Sequence, residues 1–113
     1  MSHITPVYTH KVKGTGEIIK ELPYNGLYDI DAVRQFTDCA PHDLYALGVE
    51  KDNVGCMINV PADNEDGFDK LKIWPGCHVI KRGDGSIEVW DRITQSIPYS
   101  DLEIVNKDNI ITQ

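Results

Sequence analysis

The sequence predicts a mostly β chain, a small antiparallel β-barrel or sandwich built from hairpins with one short helix. Three observations lead there. Short apolar-rich segments recur along the 113 residues, the intervals between them are rich in Gly, Asn, Asp and Pro, and a single stretch shows apolar residues at helical spacing.

From the N-terminus, Val7 to Lys13 and Glu17 to Leu22 flank Gly14-Thr15-Gly16 and read as a first hairpin, with Val12 opposite Ile19 if Thr15-Gly16 is the turn. No Gly-Lys-Ser/Thr follows these glycines, so they are assigned no phosphate role. Pro23-Tyr24-Asn25-Gly26 marks a turn and Leu27 to Ile30 a short strand. Asp31 to Phe36 forms one or two helical turns, because Asp31 can cap and Ile30, Val33 and Phe36 recur on one face. Thr37 to His42 breaks that pattern: Pro41 disfavours a helical Ala40 and removes a backbone donor.

Leu44 to Glu50 and Val54 to Val60 form a second hairpin around Lys51-Asp52-Asn53. With Asp52-Asn53 as the turn, Val49 meets Cys56, Leu47 meets Ile58 and Tyr45 meets Val60 on a continuous apolar face. The other face sets Ala46, Gly48 and Glu50 against Asn59, Met57 and Gly55, and its small residues leave the backbone open to a ligand or a second chain. Pro61 to Asp69 is an acidic loop. Counted back from Gly67, a calcium loop would begin at Ala62 and end at Ile73, where a bidentate Glu is needed, so the stretch reads as solvated surface.

The clearest hairpin lies within Lys70 to Arg92, where Cys77 to Arg82 and Ser86 to Asp91 flank Gly83-Asp84-Gly85. A type I′ turn at Asp84-Gly85 puts Lys81 opposite Glu88, His78 opposite Asp91, Val79 opposite Trp90 and Ile80 opposite Val89. Ile93 to Ile97 and Leu102 to Val105 follow as two strands around Pro98-Tyr99-Ser100. The tail, Asn106 to Gln113, carries Ile110 and Ile111 and adds a strand or covers an edge.

The whole of residues 1–113 reads as a single domain with one modest core, since hydrophobic residues make up 41% of the chain. A homo-oligomer is expected to supply further burial. With 11 basic against 18 acidic residues the formal charge is −7, which opposes a phosphate backbone, and the acids are interspersed with Lys and Arg as they would not be in a nucleic-acid mimic. No segment has the apolar length of a membrane helix, and Met1-Ser2-His3-Ile4-Thr5-Pro6 lacks the basic and apolar regions of a signal peptide. Three cysteines cannot all pair within one chain. Together these place the protein in the cytoplasm of the host cell.

Cys39-x-x-His42, Cys56 and Cys77-His78 offer nitrogen and sulfur ligands without the paired Cys-x-x-Cys spacing of a zinc framework. They read as unconnected thiols and imidazoles, and neither metal nor cofactor is expected. Nucleophilic catalysis would place Cys39 beside His78 as base and Asp91 as orienter, against the plainer reading of His78 and Asp91 as a cross-strand polar pair. Arg82-Gly83-Asp84 is explained by its turn, so no adhesive role is assigned. Trp74, Trp90, Tyr45, Tyr99 and Phe68 fall on or near the sheet, where an exposed aromatic can stack on a ligand or anchor a partner. The binding residues expected from all this are Trp74, Trp90, Tyr99, Gly48, Met57, His78, Arg82 and Asp91.

The run from Trp74-Pro75-Gly76-Cys77-His78 to Val89-Trp90 resembles a unit found near the C-terminus of many small bacteriophage accessory proteins: Pro-Gly, an apolar strand, a Gly-containing turn, and an apolar strand ending in an aromatic. It departs from that pattern at Cys77, where Asp is usual. The resemblance implies an origin and no activity, and it assigns a role to no residue. The expected function is therefore non-enzymatic binding, by a phage or mobile-element accessory protein that inhibits a host protein or sequesters a small signalling ligand. The alternatives are a small Cys/His-dependent hydrolase or zinc enzyme using Cys39, His42, His78 and Asp91, and a phage structural or assembly component.

Overall fold

The computed structural model describes residues 2–50 and 53–112, and the side chains of these except at 49 and 50. Eight strands and one α-helix follow in the order β1 (His3–Val12), β2 (Ile18–Pro23), α1 (Ile30–Thr37), β3 (Leu44–Glu50), β4 (Asn53–Pro61), β5 (Phe68–Ile73), β6 (His78–Lys81), β7 (Ile87–Trp90) and β8 (Leu102–Thr112). The fold is mostly β, as the sequence predicts. The strands form two antiparallel sheets, ordered β7-β6-β2-β1-β8 and β3-β4-β5, and no closed barrel forms among the described residues.

Strand alternation gives the five-stranded sheet two apolar faces. On one face Val7, Leu22 and Val79 pack with Val33 and Phe36 of α1 and with Cys56, Ile58 and Ile73 of the second sheet. On the other, Val12, Ile19, Ile80, Trp90 and Leu102 are covered by Ile97, from the connection between β7 and β8. Ile19 and Ile80 are fully buried, and each such side chain stabilises the fold by about 1.5–3 kcal/mol relative to exposure.

The hairpin registers differ from the sequence expectation, in β6–β7 and β1–β2 because the turn differs. In β6–β7 the pairs are His78–Trp90, Val79–Val89, Ile80–Glu88 and Lys81–Ile87. The loop has three residues, not two: Arg82 N–H donates to Ser86 O, Gly85 N–H to Arg82 O, and Gly85 takes φ 87°, the form of a type I turn closed by a left-handed glycine. That one-residue slip moves Val79 and Trp90 to opposite faces and separates His78 from Asp91, so the expected His78–Asp91 pair does not form. In β1–β2 a longer loop, closed by Val12 N–H to Glu17 O and Gly16 N–H to Val12 O, puts His10 opposite Ile19 where Val12 was expected.

In β3–β4 the pairs are Leu44–Ile58, Tyr45–Met57, Ala46–Cys56 and Leu47–Gly55, with an irregularity before Glu50–Asn53. Gly48, at φ 74°, lies in that irregularity. β4 keeps its expected inward face, but β3 is reversed, so Leu44 and Ala46 lie opposite the buried Ile58 and Cys56. Asp52, half of the expected turn, lies outside the described residues.

Four further corrections concern elements. Leu27–Asp29 is a 3-10 turn, not the start of a strand, and it feeds directly into α1. Asp29, not Asp31, takes the N-cap position; Asp31 sits in the first turn and accepts from Arg34 and Gln35. β5 occupies the end of the expected acidic loop and the residues after it, because Leu71 and Ile73 lie opposite Ile58 and Cys56 while Lys70 and Lys72 take the other face. Ile93–Ile97 is irregular, since Asp91 Oδ1 accepts from the backbone of Ile93 and Thr94 and folds the chain into a turn. The two pieces expected after it are one strand, β8.

Candidate functional site

The structure gathers some of the expected site residues around an acid that the sequence reading did not single out. Glu21 of β2 is buried on the face covered by the β7–β8 connection. Its Oε1 lies 2.9 Å from His10 Nε2 of β1, and its Oε2 accepts a 2.5 Å hydrogen bond from Tyr99 Oη. His78 Nδ1 stands 2.9 Å from the same Oε2, within ion-pair range but off the hydrogen-bonding line. Burial by itself would raise the Glu21 carboxyl. The contacts from His78, Tyr99 and His10, with the His78 charge, outweigh it and hold the group at about 2. Burial and the Glu21 carboxylate push the Tyr99 phenol upward.

A second network adjoins it on the same face. Arg82 donates to Glu17 through Nε and Nη2, at 2.9 and 2.8 Å, and to Glu88 through Nη1 at 2.7 Å. Glu88 also accepts from the indole of Trp90 and from Ser96. The bonds from Arg82 and from Gly83 N–H bring the Glu17 carboxyl down to about 2. Both networks pin side chains to one another, and their carboxylates are occupied. Asp91 is likewise occupied within its turn.

The constellations that the alternative enzyme and zinc readings need are not assembled among the described residues. Cys39 follows the left-handed Asp38 at the end of α1, whereas His78 lies on the other face of the five-stranded sheet, beside Glu21. His42 is exposed and stands 3.7 Å from Asp43. Cys56 is buried, and burial pushes its thiol up to about 12. Among the described residues no three His, Cys, Asp or Glu side chains converge so as to hold a metal ion.

The small-residue face expected to receive a ligand or a second chain is already covered in part. Trp74 lies over it: a Cβ on Gly55 would fall 2.5 Å from Trp74 Cε3, and one on Gly48 would fall 3.6 Å from Trp74 Cζ3. The glycines accommodate an indole from this same chain. Met57 is half-buried on that face, opposite Tyr45 and Lys72.

Open space lies elsewhere, around the β6–β7 hairpin. A hollow of 520 Å³ is lined by Glu17, Ile18, Lys20, Lys81, Arg82 and Gly83. Lys81 also lines a second hollow, of 450 Å³, where Cys39, Asn59 and Ile87 contribute. A third, of 430 Å³, shares Val60, Pro61, Gly85 and Ile87 with the second and adds Leu71. The second and third hollows share a wall, the first meets the second only at Lys81, and taken together they line a shallow trough between Glu17 and Leu71. Its walls are apolar at Ile87, Val60 and Leu71. Asn59 donates to Asp43 and Tyr45, while its Oδ1 is buried without a partner among the described residues. Of the expected residues, only Arg82 lines the trough. His78 and Asp91 rested on a hairpin pairing that a different turn displaced, and Trp74, Trp90, Tyr99, Gly48 and Met57 lie outside the three hollows.

Comparison with protein-family models, with curated proteins and with solved structures finds no match for this chain. Among the described residues no helix is long and apolar enough to cross a membrane.

Proposed function

We propose that this protein acts by binding, with no chemistry of its own, and that it holds a small ligand in the trough around the β6–β7 hairpin. In this reading it is a phage or mobile-element accessory protein that sequesters a small signalling molecule of the host, the two sheets are layers of a small sandwich, and the trough follows their seam. One observation carries the reading: Cys39 borders a trough large enough for a small molecule, while His78 and Asp91, which would have to activate it, are engaged elsewhere. Native mass spectrometry of the protein purified from its host tests it. The expected result is a molecule that stays bound in the native spectrum, leaves on denaturation, and is lost when Ile87→Glu fills the trough. A bare mass from host cells sinks the reading.

The exposed edge of β8 favours a second reading, inhibition of a host protein. Ile104, Val105 and Ile111 are exposed there, and an open strand can pair with a partner's strand. A pull-down from host lysate that is lost when Ile104 and Ile111 are replaced by Glu, with the trough intact, would support it. The same native spectrum reads the proposed homo-oligomer as a subunit count.

A further inference from the structure

We propose that the Lys20–Lys81 end of the trough binds an anionic group of the phosphate-ester class. The proposal rests on the trough being a ligand site and adds the chemistry of what it takes.

The argument begins with register. Lys20 of β2 lies directly opposite Lys81 of β6, and directly opposed residues on antiparallel strands share a face with Cβ atoms about 4.5–5.5 Å apart, where like charges destabilise the pair. The row runs Thr9, Lys20, Lys81, Ile87 across four strands, so the pair has a hydroxyl on one side and an apolar side chain on the other. A sheet ordinarily relieves such a pair with a carboxylate. None of the ion pairs among the described residues includes Lys20 or Lys81.

Two of the acids nearby, Glu17 and Glu88, are committed to Arg82, and among the described residues none forms an ion pair with Lys20 or Lys81, although Asp38 and Asp43 share a hollow with Lys81. Glu103 lies opposite Lys11. Lys81 is also positioned, because its ammonium lies 5.9 Å from the centroid of the Phe36 ring on α1. In a chain of net charge −7, two opposed lysines in no ion pair among the described residues, at the wall of a 520 Å³ hollow, form a local cationic site. A bridging anion with more than one negative oxygen converts the repulsion into paired charge-assisted hydrogen bonds. Ile18 offers an apolar surface beside it for the rest of the molecule.

The probe is pyrophosphate, titrated at constant ionic strength and followed by amide chemical shifts, with orthophosphate and a nucleoside diphosphate alongside. The expected result is saturable shifts confined to residues 18–20 and 81–83. Lys20→Gln with Lys81→Gln should weaken binding about tenfold or more, the factor that about 1.4 kcal/mol represents, while Lys72→Gln with Lys107→Gln leaves it unchanged. Tighter binding of the nucleotide would assign the hollow to an esterified phosphate, and equal binding to the free anion. Lys20→Gln alone, without anion, should raise the urea midpoint because it removes the like-charge pair, which also shows that the variant folds. Shifts that do not saturate, or an equal loss in the control pair, overturn the proposal. The two claims also fail separately. A molecule retained in the native spectrum and indifferent to the Lys20/Lys81 change leaves the trough standing and overturns the anion. Pyrophosphate binding to a protein that retains nothing from cells supports the anion site and sinks the sequestration reading.

Discussion

Tyr99 donates its hydroxyl to Glu21 across 78 residues of chain, and that bond ties the β7–β8 connection to the middle of the five-stranded sheet. The connection has little else to hold it. Ile97 covers the apolar patch beneath, Lys13 N–H donates to Asp101 O, and Ser96 reaches Glu88.

Removing the hydroxyl with Tyr99→Phe leaves Glu21 Oε2 one donor short in a buried setting. A hydrogen bond to a charged group is worth about 1.5–3 kcal/mol, and that loss should appear in urea unfolding. It should also appear as faster amide exchange across residues 97–101, ahead of the strands. If Tyr99→Phe unfolds with the wild type and exchange in the connection is unchanged, the bond does not anchor it.

The same carboxylate sets a pH dependence. The Glu21 carboxyl is held at about 2 in the folded protein, against its ordinary 4.5 when unfolded. A folded-state value below the unfolded one means that the stabilisation is fully present above about pH 4.5 and is lost as the pH falls toward 2, at most about 3 kcal/mol in all. Glu17 shifts in the same direction, so the wild-type acid transition contains both groups. Glu21→Gln isolates one of them: its stability at pH 7 should be lower and its slope between pH 4.5 and 2 shallower. A slope equal to that of the wild type would show that Glu21 is not held ionised by its neighbours.

Strand alternation could have found this cluster in the sequence. Glu21 is two residues from the buried Ile19, and His10 two residues from the buried Val12, so a strict period of two places an acid and an imidazole on a covered face. Tyr99 could not have been found that way, because its approach depends on the turn at Asp91–Thr94. The hairpins at Gly14–Gly16 and Gly83–Gly85 were legible from their glycines. Their registers were not, because glycine permits loops of two, three or four residues. The difference of one residue at Gly85 separated His78 from Asp91. The trough was illegible for a related reason: it lies between elements that only the packing of the two sheets and α1 brings together.

Gly55 tests the packing of Trp74. A Cβ there meets the indole at 2.5 Å and the carbonyl oxygen of Ile73 at 2.8 Å, and the second contact is backbone and cannot swing away. Gly55→Ala should therefore destabilise the protein by about 1–3 kcal/mol, the usual cost of overpacking, as read by chemical unfolding. Trp74→Ala should recover part of that cost and not all of it, since it relieves only the indole contact. Full recovery in the double variant would mean that the Ile73 carbonyl shifts freely.

The outer edge of β8 yields the last prediction. β8 pairs with β1 along its length, it ends the strand order of its sheet, and residues 103–109 are exposed, so the edge could extend the sheet into a second copy. Two features oppose that. Asn106 and Ile104 pair with consecutive residues of β1, leaving Val105 as a bulge that interrupts the straight edge. Pairing across a two-fold axis must also be centred on a residue, because opposed side chains share a face. Centres at Lys107 or Asp108, at the bulge end of the regular stretch, set each of these charges against its own copy. Each such contact costs roughly 0.2–1 kcal/mol, and charged residues on an edge are a general guard against association. Lys107→Thr with Asp108→Thr should therefore associate with rising concentration in light scattering, and more strongly than the wild type. A mass that does not rise would mean that the bulge alone blocks the edge.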